Sequence, residues 1–249
     1  MEKPVKKYVY KGGDASFLGV GVPYVHVYTT YTEEELRTKL SWATLSPWIH
    51  SEEDSIDKVD KELFEMHLKF YAILILRLCN VEILPYNVAA IVNKLIEDLR
   101  TINMLSDERL LFDVLQLAEK LKEYSLELEK CKKELERRVK NEKLKGYSEV
   151  VELVSKSLIK VNRSLSHILK TVAGKYEQDP YDYTFVKKPI PRLYIPIKKL
   201  NELQKGSHEY LLWYTKLLRE KNVVIDHIQN TIDYLKITLT RIKEIINLQ

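Results

Sequence analysis

The apolar positions of this chain fall into two regimes. From residue 1 to about 53 they come in short runs broken by turn residues; from 51 onward they recur at helical spacing to the end. Tyr8-Val9-Tyr10 is β-prone and stops at Gly12-Gly13. Gly19-Val20-Gly21-Val22-Pro23 then leads into Tyr24-Val25-His26-Val27-Tyr28-Thr29-Thr30-Tyr31, whose β-branched and aromatic residues predict a strand. Glu33 to Leu40 fits a short helix, and Ser46-Pro47-Trp48-Ile49-His50 fits a loop.

The second regime predicts long helices. The first carries Val59, Leu63, Met66, Phe70, Ile73 and Leu74 on one face and should stop near Asn80. Ser51-Glu52-Glu53-Asp54 is an S-x-x-D capping pattern with acidic residues in the first turn, which places the start of this helix at Ser51. Pro85 can open a second helix that runs to about Met104. A third begins at Ser106-Asp107-Glu108 and carries Val114, Leu117, Leu121, Tyr124, Leu128, Cys131 and Leu135, in alternating steps of 3 and 4 residues. A fourth spans about Tyr147 to Ala173 and ends at Gly174. Residues 175–196 interrupt the pattern with Pro180, Pro189, Pro191 and Pro196 among several aromatics. Helix then returns with Ile225, Ile228, Ile232, Leu235, Leu239, Ile242 and Ile246 in the same 3, 4 rhythm. Two such seven-residue repeats predict left-handed packing of helix on helix. The fold expected is mainly α: a small α/β piece followed by a helical bundle.

Composition narrows the class. Seven glycines and eight prolines in 249 residues are too few for a loop-rich sandwich. The net charge of +4 is too small for a nucleic-acid footprint by itself, so no nucleic-acid partner is expected. Cys79 and Cys131 are the only cysteines, which excludes a disulfide scaffold and a cysteine zinc site. The run from Phe70 to Leu84 is interrupted by Arg77, Asn80 and Glu82, too short and too charged to span a bilayer. The charged start, Met1 to Lys7, leads into no apolar stretch of a secretory signal. A cytoplasmic protein with no membrane partner is the expectation.

Candidate chemistry is sparse in the bundle. His67, His167, His208 and His227 have no partner at a ligand spacing and read as ordinary histidines. Arg137-Arg138-Val139-Lys140, with Lys143 and Lys145, reads as a solvated basic helix end in favourable register with the helix dipole. Before position 60 there is more. His50 precedes the expected start of a long helix, whose positive end keeps an imidazole neutral and able to ligate a metal. Glu52, Glu53, Asp54 and Asp57 follow it closely.

Two of these segments together resemble a known family. Gly13-Asp14-Ala15-Ser16-Phe17 followed by Gly21-Val22-Pro23 and a strand resembles the D-(H)-x-x-F…G-[IV]-P segment of the co-catalytic zinc aminopeptidases. Trp48-Ile49-His50-Ser51-Glu52-Glu53-Asp54-Ser55-Ile56-Asp57 is similar to that family's closing H-[ST]-x-x-D-[ST]-x-[DE] signature. The resemblance implies His50 as the last zinc ligand and a second-shell or capping role for Ser51 and Asp54. Asp14, Ser16, Phe17 and Trp48 are implied to lie at the substrate pocket. Downstream, the glutamate carboxypeptidase and transferrin-receptor branch has a helical dimerisation domain, which residues 85–249 resemble, with Leu84-Pro85 as its junction and 1–84 as the end of the peptidase domain. The branch brings an interrupted return segment to its pocket with a Lys-Tyr pair, which points here to residues 175–196 and Tyr194.

A two-zinc peptidase also needs further His and carboxylate ligands, a bridging Asp and a Glu general base. In the family these lie upstream of the first motif, and only 13 residues precede Asp14. The expected function is therefore the C-terminal part of a zinc-dependent exopeptidase, inactive alone, with zinc held only if another segment or chain supplies the other ligands. Its expected partners are an upstream peptidase half, a peptide substrate and a second copy through the bundle. The alternative is a non-catalytic helical dimerisation module with vestigial active-site loops.

Overall fold

The computed structural model describes residues 51–106, 110–140, 148–173 and 188–247, with 22, 32–38, 48 and 177 besides. The fold is mainly α, as the apolar spacing predicts, and among the described residues there is no strand. The strand expected at 24–31 lies outside them. The chain divides into compact units, with a boundary between Glu82 and Ile83. Among the described residues no helix is long and apolar enough to cross a membrane.

The unit before Ile83 contains α1 (Glu33–Thr38), a 3-10 turn at Ile56–Lys58 and α2 (Lys61–Cys79). Here the sequence expectation needs correcting, because α2 is capped by Asp60 and not by Ser51. The Asp60 carboxylate accepts from the backbone N–H groups of Glu62 and Leu63, both at 3.0 Å. Ser51 and Asp54 are used differently. Ser51 donates both its N–H (3.0 Å) and its hydroxyl (2.5 Å) back to the Trp48 carbonyl, and Asp54 N–H donates to the Ser51 carbonyl. These turns compete with the helix and delay its start. The helix stops where expected, at Asn80, whose side-chain amide donates to the Leu76 carbonyl at 2.7 Å.

Replacing Asp60 by Ala should leave two N–H groups of the first turn uncapped, at a cost of about 1 kcal/mol to α2. Amide exchange at Glu62 and Leu63 is then expected to accelerate by about fivefold.

α2 buries none of its residues. Of the expected apolar face, Leu74 is half-buried, while Val59, Leu63, Met66, Phe70 and Ile73 are exposed. So are Phe64, Leu68 and Leu76 on its other sides, each 60% or more. Lys61, Glu62, Glu65 and Lys69 line one side of its first half. The second half, 70–79, has Arg77 as its one charged residue, and a stretch apolar nearly all round is the kind that a large core surrounds.

The unit from Ile83 onward is a helical bundle. It contains α3 (Val88–Asn103), α4 (Phe112–Lys140), α5 (Ser148–Lys170), α6 (Pro191–Glu202) and α7 (His208–Asn247). Cross-helix bonds fix the directions. Val88 N–H donates to Glu129 and Arg100 to Glu119, so α3 and α4 are antiparallel. Asp113 pairs with Lys221 and Arg138 donates to the Ile246 carbonyl, so α4 and α7 run parallel. Glu149 pairs with Arg241 and Ser157 with Tyr234, so α5 and α7 are antiparallel. α3 packs against α4 and α5, and α7 against both of these from the opposite corner, while consecutive α4 and α5 barely touch.

Both heptad stripes face this shared core. Val114, Leu121, Leu128 and Leu135 of α4 are fully buried, as are Ile228, Ile232, Leu235 and Ile242 of α7. Leu117, Tyr124, Cys131, Ile225 and Ile246 pack at its edge. Ser125 and Thr231 are also buried, their hydroxyls bonded to carbonyls of their own helices.

Three helix starts differ from expectation. α4 begins at Phe112 and not at Ser106. α3 begins at Val88 and not at Pro85, with Asn87 as cap accepting from Ala90 N–H at 2.9 Å. The Pro85 region is instead held by buried Lys132, whose ammonium donates to the Tyr86 carbonyl at 2.7 Å. α6 begins at Pro191, inside the segment expected to be irregular as far as 196. Its rigid first residue favours helix. The residue before it, Ile190, is fully buried with φ of +39°, a conformation a β-branched side chain adopts at a cost of about 1–3 kcal/mol. Burial holds it there, and its carbonyl accepts from Leu193 and Tyr194 at 2.9 and 3.0 Å.

Candidate functional site

The segment that carries the resemblance is partly described. His50, Asp14, Ser16 and Phe17 lie outside the described residues. Trp48 is half-buried, and the turn from it to Ser51 is closed by the two bonds already given. Glu53 N–H reaches the Ser51 hydroxyl at 3.3 Å. Glu52, Glu53 and Asp54 are exposed to solvent. Asp57 accepts from the Ser55 hydroxyl and from Lys58, and these bonds hold its carboxyl below the usual range. Among the described residues no group of three or more His, Cys, Asp or Glu side chains could hold a metal ion, so by themselves they do not fit zinc.

Tyr194 belongs to the bundle unit. It sits in the first turn of α6, half-buried against the core, with the Lys188 ammonium 5.3 Å from its ring centroid. The return segment thus presents a lysine on a tyrosine, though not as neighbours in sequence.

The most concentrated chemistry in the bundle was not visible in the sequence. Arg192, on α6, is 6% exposed. Its guanidinium donates to Glu220 of α7 at 2.7 Å and to the Ala173 carbonyl just beyond α5. The same group lies 3.5 Å from His167 Nε2 on α5. Its Nε, buried, meets no partner among the described residues. The rings of His167 and His227 stack with centroids 4.8 Å apart. Ser164 Oγ lies 3.4 Å from His227 Nδ1, and the Thr231 hydroxyl lies 2.9 Å from Ser164 Oγ.

Burial, then the neighbouring His167 and Arg192, push the His227 imidazole down to about 4. It is therefore neutral at physiological pH. At the end of α5 the Lys170 ammonium is likewise lowered by burial, with Asp98 opposing and Lys94 adding to the effect.

Sequence spacing gave His167 and His227 no partner, yet the structure makes them partners of each other. Only the antiparallel register of α5 on α7 brings them together, and no local spacing encodes that. The basic end of α4 behaves as expected of a helix terminus. Glu134 accepts from Arg137 at 2.7 and 3.0 Å and from Arg138 at 2.8 Å, and these bonds pull its carboxyl down to about 2. Arg138 also reaches the Ile246 carbonyl at the end of α7.

No protein-family model, curated protein or solved structure matches this chain.

Proposed function

We propose that this chain is the C-terminal part of a zinc-dependent exopeptidase resembling the co-catalytic aminopeptidases of the glutamate carboxypeptidase and transferrin-receptor branch. His50 is its metal ligand in this reading, with Ser51 and Asp54 behind it and Asp14, Ser16, Phe17, Trp48 and Tyr194 at the peptide pocket. Zinc binds only when another segment or chain supplies the remaining ligands. The protein is cytoplasmic in this reading, pairs with a second copy through its bundle and touches neither nucleic acid nor membrane.

One observation supports it above the others: the second half of α2, 70–79, is apolar on nearly every side, and the helix buries no residue. A contiguous apolar surface of that extent is rare on a self-sufficient monomer. It suits a helix that covers an α/β core contributed from elsewhere, next to a motif that resembles the end of a peptidase site.

The test is reconstitution. The chain is mixed with a separately produced α/β half carrying the missing His, Asp and Glu ligands, zinc is added, and hydrolysis of aminoacyl and acidic-peptide substrates is followed. Activity is expected only in the mixture. Substitution His50→Ala should lower it by more than about a hundredfold, since even the outer partners of a metal ligand are worth 10–100-fold. Activity untouched by that change ends the ligand assignment.

A second reading has its own support. The acidic residues that follow His50 face solvent, and Asp57 is occupied by Ser55 and Lys58, which suits a vestigial loop on a non-catalytic assembly module. In that case the mixture assembles but hydrolyses nothing.

A further inference from the structure

We propose that Arg192, Glu220, His167 and His227 form an acid-sensitive latch that releases α6 from α5 and α7 when protons are taken up. The inference concerns the bundle alone and does not depend on the peptidase reading.

α6 is a poor helix by itself. It has 12 residues, Pro196 in its interior, and a start at Ile190 with no side-chain cap. An isolated helix of that length is marginal even with a favourable sequence, and an interior proline removes one of its bonds. Its attachment comes from packing, from Asn201, whose side-chain amide donates to the Leu105 carbonyl at 2.5 Å, and from Arg192. That one side chain ties α6 to the end of α5, through the Ala173 carbonyl, and to α7, through Glu220.

The charges around the tether are unbalanced. One carboxylate, Glu220, bonds to the guanidinium, while the His167 imidazole lies against it and stacks on that of His227. The groups that bear on His227 are His167 from α5, Arg192 from α6 and Asp226 from its own helix. From α4, the charges facing α7 are engaged further along: Asp113 with Lys221, Lys120 toward Asp233, and Glu127 with Lys243. Asp226 is exposed, so its attraction for a protonated His227 is screened. A proton on His227 therefore meets the Arg192 cation, whose repulsion outweighs the attraction of Asp226 even though Glu220 is paired with it.

The sign follows from linkage. In the closed latch the His227 imidazole titrates at about 4. Release of α6 takes Arg192 away and exposes the ring on that side, so the value rises part of the way toward the ordinary 6.5 while His167 stays beside it. The open form binds the proton more tightly. Opening is thus favoured as pH falls from 6.5 toward 4 and is independent of pH above that window. For one proton the opening equilibrium changes by at most about tenfold per pH unit.

Amide exchange of the full chain at pH 7.5 and at pH 5.0, each rate divided by its intrinsic value at that pH, tests this directly. Protection at 191–202 is expected to fall about tenfold at the lower pH, while the centre of α4 and the second half of α7 keep theirs. His227→Gln should remove the difference. Protection of α6 that does not change with pH, that falls in step with α4 and α7, or that falls equally in the variant overturns the latch. An NMR titration of the wild-type His227 imidazole guards against a variant that fails to fold. A value well below 6.5 supports the latch, and a value at or above 6.5 overturns it.

Discussion

Replacing Leu121 and Leu128 together by Asp is expected to abolish the cooperative thermal melt of the bundle and most of its helical circular dichroism. Both leucines lie fully buried in the core that this chain makes with itself. Each substitution removes a packed side chain, worth about 2–5 kcal/mol, and places a carboxylate where nothing can solvate it, which adds several more. Two such changes together reach or exceed the stability of a typical domain, about 5–15 kcal/mol. If this stripe of α4 served only as a seam between two copies, the same variant would be a folded monomer by sedimentation, with its helix content intact. That outcome would mean that Leu121 and Leu128 do not hold the chain's own core.

The heptad stripes were legible because their signal is purely periodic. Every third or fourth residue from Val114 to Leu135 and from Ile225 to Ile246 is apolar, and burial then follows with little freedom. What periodicity cannot give is which stripe faces which. The ion pairs and bonds from Asp113 to Lys221 and from Arg138 to Ile246 show two parallel stripes facing one core.

Helix starts were less legible, and each failure has a local cause. Ser51 looked like a cap because Asp54 stands three residues later, yet its hydroxyl and N–H both turn back to Trp48. Pro85 looked like a first helical residue, but Lys132, distant in sequence, holds the Tyr86 carbonyl and Asn87 takes the cap. The prolines around Ile190 looked like a continuous break, whereas Pro191 starts a helix once the strained Ile190 is buried.

The charged cluster was invisible for a different reason. His167, Arg192, Glu220 and His227 come from three helices, and only Glu220 and His227, two turns apart on α7, share one. Of the residues implied by the peptidase resemblance, Trp48, Ser51, Asp54 and Tyr194 are described, and they divide between the two units: the first three before Ile83, Tyr194 after it. His50 and the Asp14 loop lie outside the described residues, so that reading rests on the motif and on the unburied α2.

Substituting Arg192 by Met should destabilise the bundle by about 3 kcal/mol, measured as a lower urea midpoint at an unchanged slope. The methionine keeps most of the apolar stem, so the loss is one of charge and donors. Glu220, whose side chain is 21% exposed, is left without its cation, and the Ala173 carbonyl loses its donor. Replacing both partners at once, Arg192→Met with Glu220→Leu, should recover more than half of the loss, because no uncompensated carboxylate remains and the desolvation of two charges disappears with them. The single variant should also respond less to acid than the wild type, since the cation that repels a protonated His227 is gone. If the double variant is no more stable than the single, the cost lies in lost packing around Ile190 and Leu193 and not in the ion pair. If the single variant keeps the wild-type midpoint, the tether contributes nothing, and α6 is held by its buried apolar residues and by Asn201 on the Leu105 carbonyl.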